Sequence, residues 1–254
     1  MNLLEIISPG IAGLLVVLIF LGLIVVFTAM RWKEPKRNLR EISAFARLDE
    51  AIGQAVEAGK RLHVSLGWGG VNGIEGASAV VGLSVLRNIG HLASVSDRPP
   101  VATSGEGTLA ILSRDTLQSA FDYIGAPELY DPTAGQLTGL TPFAYASGTL
   151  PTIFDENVSA SILAGHFGSE VALITDAGER SASLTLGGSD SLPAQAVMYA
   201  SAQEPLIGEE LYASSAYIHP GPVQVASLRA QDVLRWLVVA AILAGVVLKL
   251  AGAL

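Results

Sequence analysis

Apolar and polar positions along the chain fall into distinct regimes. From Ile6 to Met30 the run IISPGIAGLLVVLIFLGLIVVFTAM contains no charged residue, and a helix of that length exceeds the roughly 20 residues needed to cross a bilayer core. A second run, Trp236 to Leu248, continues past Lys249 as LAGAL; it is long enough to span when Lys249 carries its amine to the far interface. Between them, EISAFARLDEAIGQAVEAG (41–59) places Ile42, Phe45, Leu48, Ile52 and Val56 three and four residues apart. That is the stripe of an amphipathic helix, and Gly59 is placed to stop it.

From Lys60 onward the pattern becomes a recurrence: a short apolar run, a cluster of small and polar residues, then a helical stretch. RLHVSLG leads through a glycine loop into a helix within 74–97. PPVATSGEGT leads into LAILSRDTLQSAFDYIGA (109–126), where Leu109, Leu112, Leu117, Ala120, Phe121 and Ile124 mark one buried face. GQLTGLTP (135–142) reads as a long loop, and TPFAYASGTLPT as the strand and loop of a third unit with its helix over 153–168. EVALITDAGERS (170–181) and ASLTLGGSD (182–190) read as strands joined by a hairpin, followed by LPAQAVMYASA (192–202), helix or strand, and GEELYASSAYI (208–218). Strands alternating with helices predict a three-layer, Rossmann-like α/β domain with a mainly parallel sheet, because parallel neighbours need long crossovers and helices supply them. The expected organisation is an N-terminal transmembrane helix (1–30), a basic flank and connector helix (31–59), an α/β domain (60–228) and a C-terminal transmembrane helix (229–254).

Charge sets the expected orientation. Met1 to Gly10 holds no Lys or Arg, so the first apolar run lacks the basic n-region of a cleaved signal peptide and is expected to stay attached. The flank RWKEPKRNLR (31–40) sets Arg31, Lys33, Lys36, Arg37 and Arg40 against Glu34, and Arg229 and Arg235 precede the second run. Both basic flanks lie on the central segment, which is therefore expected in the cytoplasm with both termini outside. Residues 41–233 carry 8 Lys or Arg against 21 Asp or Glu, a net of −13. Such a domain repels nucleic-acid phosphates, so nucleic acid is excluded as the expected partner.

In an open parallel sheet, ligands sit beyond the carboxyl ends of the strands. Four small-residue loops are expected there, and their residues Gly67, Trp68, Gly69, Gly70, Ser104, Glu106, Ser147 and Asp176 are the candidate lining of a site. Gly67-x-Gly69-x-x-x-Gly73 follows a strand and opens a helix, the setting in which backbone N–H groups bind a pyrophosphate. No isolated ribose-binding carboxylate ends the next strand; Glu106 is the nearest, at too long a spacing. The glycines read more simply as a close-packed turn, and Trp68 either stacks on a ligand or caps its own core. Ser104, Thr108, Ser147 and Thr149 read as helix caps, and Asp176, Glu179 and Arg180 as solvated hairpin charges. His63, His91, His166 and His219 are scattered in no ligand pattern, and without cysteine no thiolate zinc site forms, so no metal site is expected and no cofactor is named. Walker lysine and G-x-S-x-G motifs are absent. Gly10-x-x-Gly13, Ala240-x-x-x-Ala244 and Ala241-x-x-x-Gly245 allow close helix approach, and no interior ionisable residue marks a transport path.

The chain as a whole resembles an uncharacterised prokaryotic family of two-transmembrane-helix proteins with a central domain of unknown function. The resemblance rests on RLHVSLG, GLSVL (82–86), SDRPPVATSGEGTLAIL (96–112), VALITDAGERSASL (171–184), EPLIGEELYASSAYI (204–218) and AQDVLRWLVV (230–239). It implies that both apolar runs are integral to the protein and it assigns no activity. The leading functional expectation is a non-enzymatic oligomeric scaffold or docking subunit of a prokaryotic cytoplasmic membrane assembly, in contact with the lipid bilayer and with copies of itself or a larger complex. The alternative is a small-molecule or nucleotide-binding domain, enzymatic or not, with its site at the carboxyl edge of the sheet.

Overall fold

The computed structural model describes residues 9–30, 40–93, 96 and 98–251. Most of the basic flank, residues 31–39, lies outside the described residues, as do Met1–Ser8 and 252–254. The chain divides into two units, one of residues 41–219 and one of residues 1–40 with 220–254.

The larger unit is a six-stranded sheet in the order β3-β2-β1-β4-β5-β6 with every neighbour parallel. Its elements, in chain order after the N-terminal helix α1 (Pro9–Met30), are α2 (Ser43–Glu57), β1 (Arg61–Gly67), α3 (Gly76–Ala93), β2 (Val101–Ser104) and α4 (Gly107–Tyr123). They continue with β3 (Gly135–Leu137), α5 (Pro142–Asp155), β4 (Val158–His166), α6 (Val171–Arg180), β5 (Leu184–Ser189), α7 (Leu192–Ser201), β6 (Glu204–Leu206) and α8 (Glu210–Ile218). Leu62, Val64 and Leu66 of β1 face a core built with α2, α3, α4 and α8, while α5, α6 and α7 cover the opposite face around Tyr145, Leu163, Phe167, Ile174 and Met198. The expected three-layer α/β architecture with a parallel sheet is what forms.

Several elements differ from the sequence expectation, each for a packing reason. The amphipathic stripe of 41–59 does form a helix, but Ala44, Phe45, Leu48 and Ile52 are buried in the main core, so α2 is a layer of the domain rather than a connector. The third unit is inverted. Its expected strand and loop are the helix α5, with Pro142 in the first turn and Tyr145, Ala146, Thr149, Thr152 and Ile153 buried at helical spacing. Its expected helix is the central strand β4, in which Ala160 to Gly165 are all buried. A parallel strand covered on both faces shows no alternation, so a run such as SASILAG carries no period of two. Asn157, in the left-handed region at φ 54°, makes the turn between them. VALITDAGER is likewise the helix α6, burying Val171, Ile174, Thr175, Ala177 and Gly178, and not half of a hairpin. The expected loop 135–142 contains the short edge strand β3.

The smaller unit contains α1 and α9 (Pro222–Leu250), which pack against one another. Both are long and apolar enough to cross a membrane. The 22 residues of α1 make a rod of about 33 Å, matching a hydrocarbon core of about 30 Å. The 29 residues of α9 make about 43 Å, so its polar first turns, with Arg229, Asp232 and Arg235, extend beyond the apolar run that begins at Trp236.

Candidate functional site

β1 and β4 are neighbours in the sheet, yet the helix after β1 covers one face and the helix after β4 the other. The strand order therefore reverses between them. In open α/β sheets this is the point where the connections part and leave a crevice beyond the carboxyl ends of the strands.

The glycine loop sits there, and its glycines are spent on packing. Gly67 pairs with His166 across the two strands, at φ +77°, and a Cβ on it would fall 2.1 Å from the His166 carbonyl oxygen. One on Gly69 would fall 2.5 Å from the His166 Cβ, and one on Gly105 2.6 Å from the Trp68 Cβ. Only residues without a side chain let the ends of β1, β2 and β4 converge this closely. Two amides at the start of this loop, and that of Gly105 after β2, donate to protein acceptors. Gly67 N donates to the Tyr145 hydroxyl (3.1 Å), Trp68 N to His166 O (3.1 Å) and Gly105 N to Gly67 O (2.9 Å).

Around that turn stands a linked set of side chains. The half-buried Trp68 donates its indole N–H to Glu170 Oε1 (2.9 Å) and meets the His166 ring edge-on with centroids 4.8 Å apart. The same Glu170 oxygen accepts from Gly168 N (2.7 Å), so this buried carboxylate closes the turn before α6. His166 Nδ1 lies 2.7 Å from Asp190 Oδ1, with both side chains 18% exposed. Asp190 Oδ2 accepts from Ser78 Oγ at 2.9 Å. An ionised carboxylate can only accept, so in the neutral ring the proton sits on Nδ1 and Nε2 is the accepting nitrogen. An imidazole fixed by a carboxylate in this way is oriented to accept a proton or a hydrogen bond from a ligand.

Beneath the crevice, the side of β1, β2 and β4 that faces α5 is polar. His63 Nδ1 lies 3.2 Å from Ser161 Oγ and Nε2 lies 2.9 Å from Thr103 Oγ1. Ser65 Oγ shares a short hydrogen bond with the Tyr145 hydroxyl. Burial drives the His63 pKa down to about 3 and pushes the Tyr145 phenol up, so both groups are neutral.

Six of the eight residues singled out from the sequence, Gly67, Trp68, Gly69, Gly70, Ser104 and Glu106, lie at the carboxyl ends of β1 and β2. Ser104 is buried and donates to Gln136 O (3.2 Å), which ties β2 to β3. Glu106, not a hydroxyl, caps α4, accepting from Leu109 N at 2.8 Å. Burial acts to raise its carboxyl, and the hydrogen bonds from Thr108 and Leu109 outweigh that and leave it below the ordinary value. Ser147 and Asp176 do not join the site. Ser147 is exposed within α5, and Asp176 forms an exposed i,i+4 pair with Arg180 (2.8 Å) within α6. His166, Glu170 and Asp190 complete the cluster and were not expected from the sequence. Among the described residues, no three His, Asp or Glu side chains converge as metal ligands.

The family model for the Domain of unknown function DUF6754 matches residues 8–254, and the chain belongs to that family. No curated protein and no solved structure matches it.

Proposed function

We propose that the α/β domain is a ligand-binding module, tethered to a membrane by α1 and α9, with its site where the strand order reverses between β1 and β4. The observation that carries this reading is the fixed, half-buried Trp68 ring beside the carboxylate-oriented His166 at that point. A sheet of this order places ligands there, and an aromatic face next to a few convergent polar groups is the usual chemistry of a small-molecule pocket. The basic residues flanking the apolar runs favour a cytoplasmic domain with both termini outside. A thermal-shift screen of the detergent-extracted protein tests the reading: a compound that raises the melting temperature of the wild type should lose its effect in Trp68→Ala and Asp190→Asn. A broad screen in which nothing stabilises the wild type would remove its support.

A scaffold role is the second reading, favoured by exposed apolar side chains around the same edge. Ile74 is 100% exposed, Leu192 77%, Leu140 75% and Phe143 63%. Exposed apolar residues grouped on one edge mark a docking surface. On this reading the extracted protein is oligomeric or carries partners, and Ile74→Asp with Leu192→Asp releases them; a wild type that runs as a bare monomer in mild detergent rejects it.

A further inference from the structure

We infer that the helical layer formed by α5, α6 and α7 is the surface through which two copies of this domain associate, face to face about a two-fold axis. The inference rests on the scaffold reading above. It names a second copy as the partner and extends the edge at Phe143 and Leu192 into a face.

Helices of opposite character cover the two sides of the sheet. On one side, the exposed positions of α2 and α4 include Arg47, Asp49, Glu50, Arg114, Asp115 and Asp122, the charged outer face usual for a surface helix. On the other side charge nearly vanishes. α5 exposes Phe143, Ser147, Pro151 and Phe154 and carries no charge before its last residue, Asp155. α7 exposes Leu192, Ala196 and Tyr199, the last at 73%, and carries no charge at all. Between them α6, packed against both, adds Leu173 and three exposed charges, Asp176, Glu179 and Arg180. Apolar side chains spread over a whole helical layer mark a docking surface. The helices have 14, 10 and 10 residues, which gives a flat footprint on the order of 500 Å² at a helix width of about 10 Å. With the relief of its side chains, that footprint approaches the roughly 800 Å² per partner of a stable complex.

Charge decides the occupant. Residues 41–233 carry a net of −13, so two copies repel one another through their charged faces and can approach through this one. A basic partner is drawn to the other faces instead. A bilayer surface is bound by helices that set Lys and Arg beside an apolar stripe, and the three helices hold Arg180 alone. A two-fold axis lying in the face sets α6, the middle helix, against α6 of the second copy. With the two antiparallel, Arg180 of one copy comes opposite Asp176 and Glu179 of the other, and the contact is made twice. The charges of α6 are thus complementary to themselves, with α5 and α7 flanking the contact and Ser147 at its rim.

The chain has no cysteine, so a single introduced thiol reports on one place. The test treats Glu179→Cys, on α6, with a short bis-maleimide in native membranes and reads the product on a denaturing gel. The wild type is sized in parallel by light scattering in mild detergent. Expected are a wild type at twice the chain mass and a cross-linked dimer of Glu179→Cys, while Ile111→Cys on the outer face of α4 gives none. Adding Tyr199→Asp should cut the cross-linked fraction about tenfold, because the contact would desolvate a carboxylate against an apolar surface. Phe154→Asp makes the same test if Tyr199→Asp fails to fold. A dimer that survives both substitutions, equal cross-linking from Ile111→Cys, or a monomer that carries a different protein overturns the inference and leaves the scaffold reading standing. A monomer whose Glu179→Cys thiol is shielded by added phospholipid vesicles overturns it too, and gives the face to a bilayer. A bare monomer with no cross-link in membranes overturns both.

Discussion

Mild acid destabilises the domain through one imidazole at its centre. His63 lies in the middle of β1, fully buried, between Ser161 and Thr103, and burial lowers its pKa from 6.5 to about 3. In the unfolded chain the same side chain takes a proton near pH 6.5, while in the fold it resists protonation down to about pH 3. The depressed value gives a contribution that is fully present above pH 6.5 and is lost as the pH falls toward 3. Well inside that window each pH unit costs about 1.4 kcal/mol, so moving from pH 6.5 to 4.5 removes roughly 2 kcal/mol. That is a large share of a net stability of about 5–15 kcal/mol. The assay is urea denaturation of the full-length protein in detergent, followed by far-ultraviolet circular dichroism at half-unit pH steps. It compares wild type with His63→Gln, which places an uncharged amide between the same two hydroxyls. The variant is less stable at pH 7.5, but its stability falls less steeply with acid, and the difference in slope between the two proteins is the His63 term. His91, also lowered by burial, titrates in both proteins and cancels. Glu106 and Asp131, held below their ordinary values of 4.5 and 3.8, add acid lability only at the bottom of the window. Parallel slopes between pH 6.5 and 4.5 would refute the argument, as would an NMR titration placing the His63 imidazole near its ordinary value.

Gly67→Ala puts a Cβ 2.1 Å from the His166 carbonyl oxygen at a residue whose φ is +77°. The backbone conformation alone costs about 1–3 kcal/mol, so the melting temperature should drop by several degrees, and a variant melting within about one degree of wild type would show that the strand ends do not converge as described. The orientation of the domain is readable with one label, because the chain has no cysteine and Ser147 is exposed on α5. Ser147→Cys in whole cells should react with a membrane-impermeant maleimide only after permeabilisation, and labelling of intact cells would place the domain on the outer side.

The fold was legible wherever burial leaves a one-sided pattern. α2 and α4 each show a stripe because one face packs on the sheet and the other meets solvent. β1 was legible because RLHVSLG is a short apolar run closed by glycine. The middle of the chain gave the wrong elements because its signals are symmetric. β4 is buried on both faces and built from small residues, while α5 carries Tyr, Ser, Gly and Thr, which read as a loop until Tyr145 and Thr149 are seen to turn inward together.

That inversion also hid half of the site. With 153–168 read as a helix, His166 fell at a helix end and had no defined neighbour. As the last residue of β4 it stands beside Gly67 on one side, and the register Gly165 to Ser189 on the other side brings Asp190 next to it. The two partners are 24 residues apart with a whole helix between them, so no spacing in the sequence encodes their contact. What encodes it is the position of each at the carboxyl end of a strand. Two polar residues that end adjacent parallel strands are brought together by the same hydrogen-bond ladder that builds the sheet. Glu170 follows by the same route, since the turn after β4 must bring α6 back across the sheet, and its carboxylate takes both the Gly168 amide and the Trp68 indole in doing so. In a sheet of this order the residues at the strand ends carry the chemistry, and a strand missed in the sequence removes its share of the site from view.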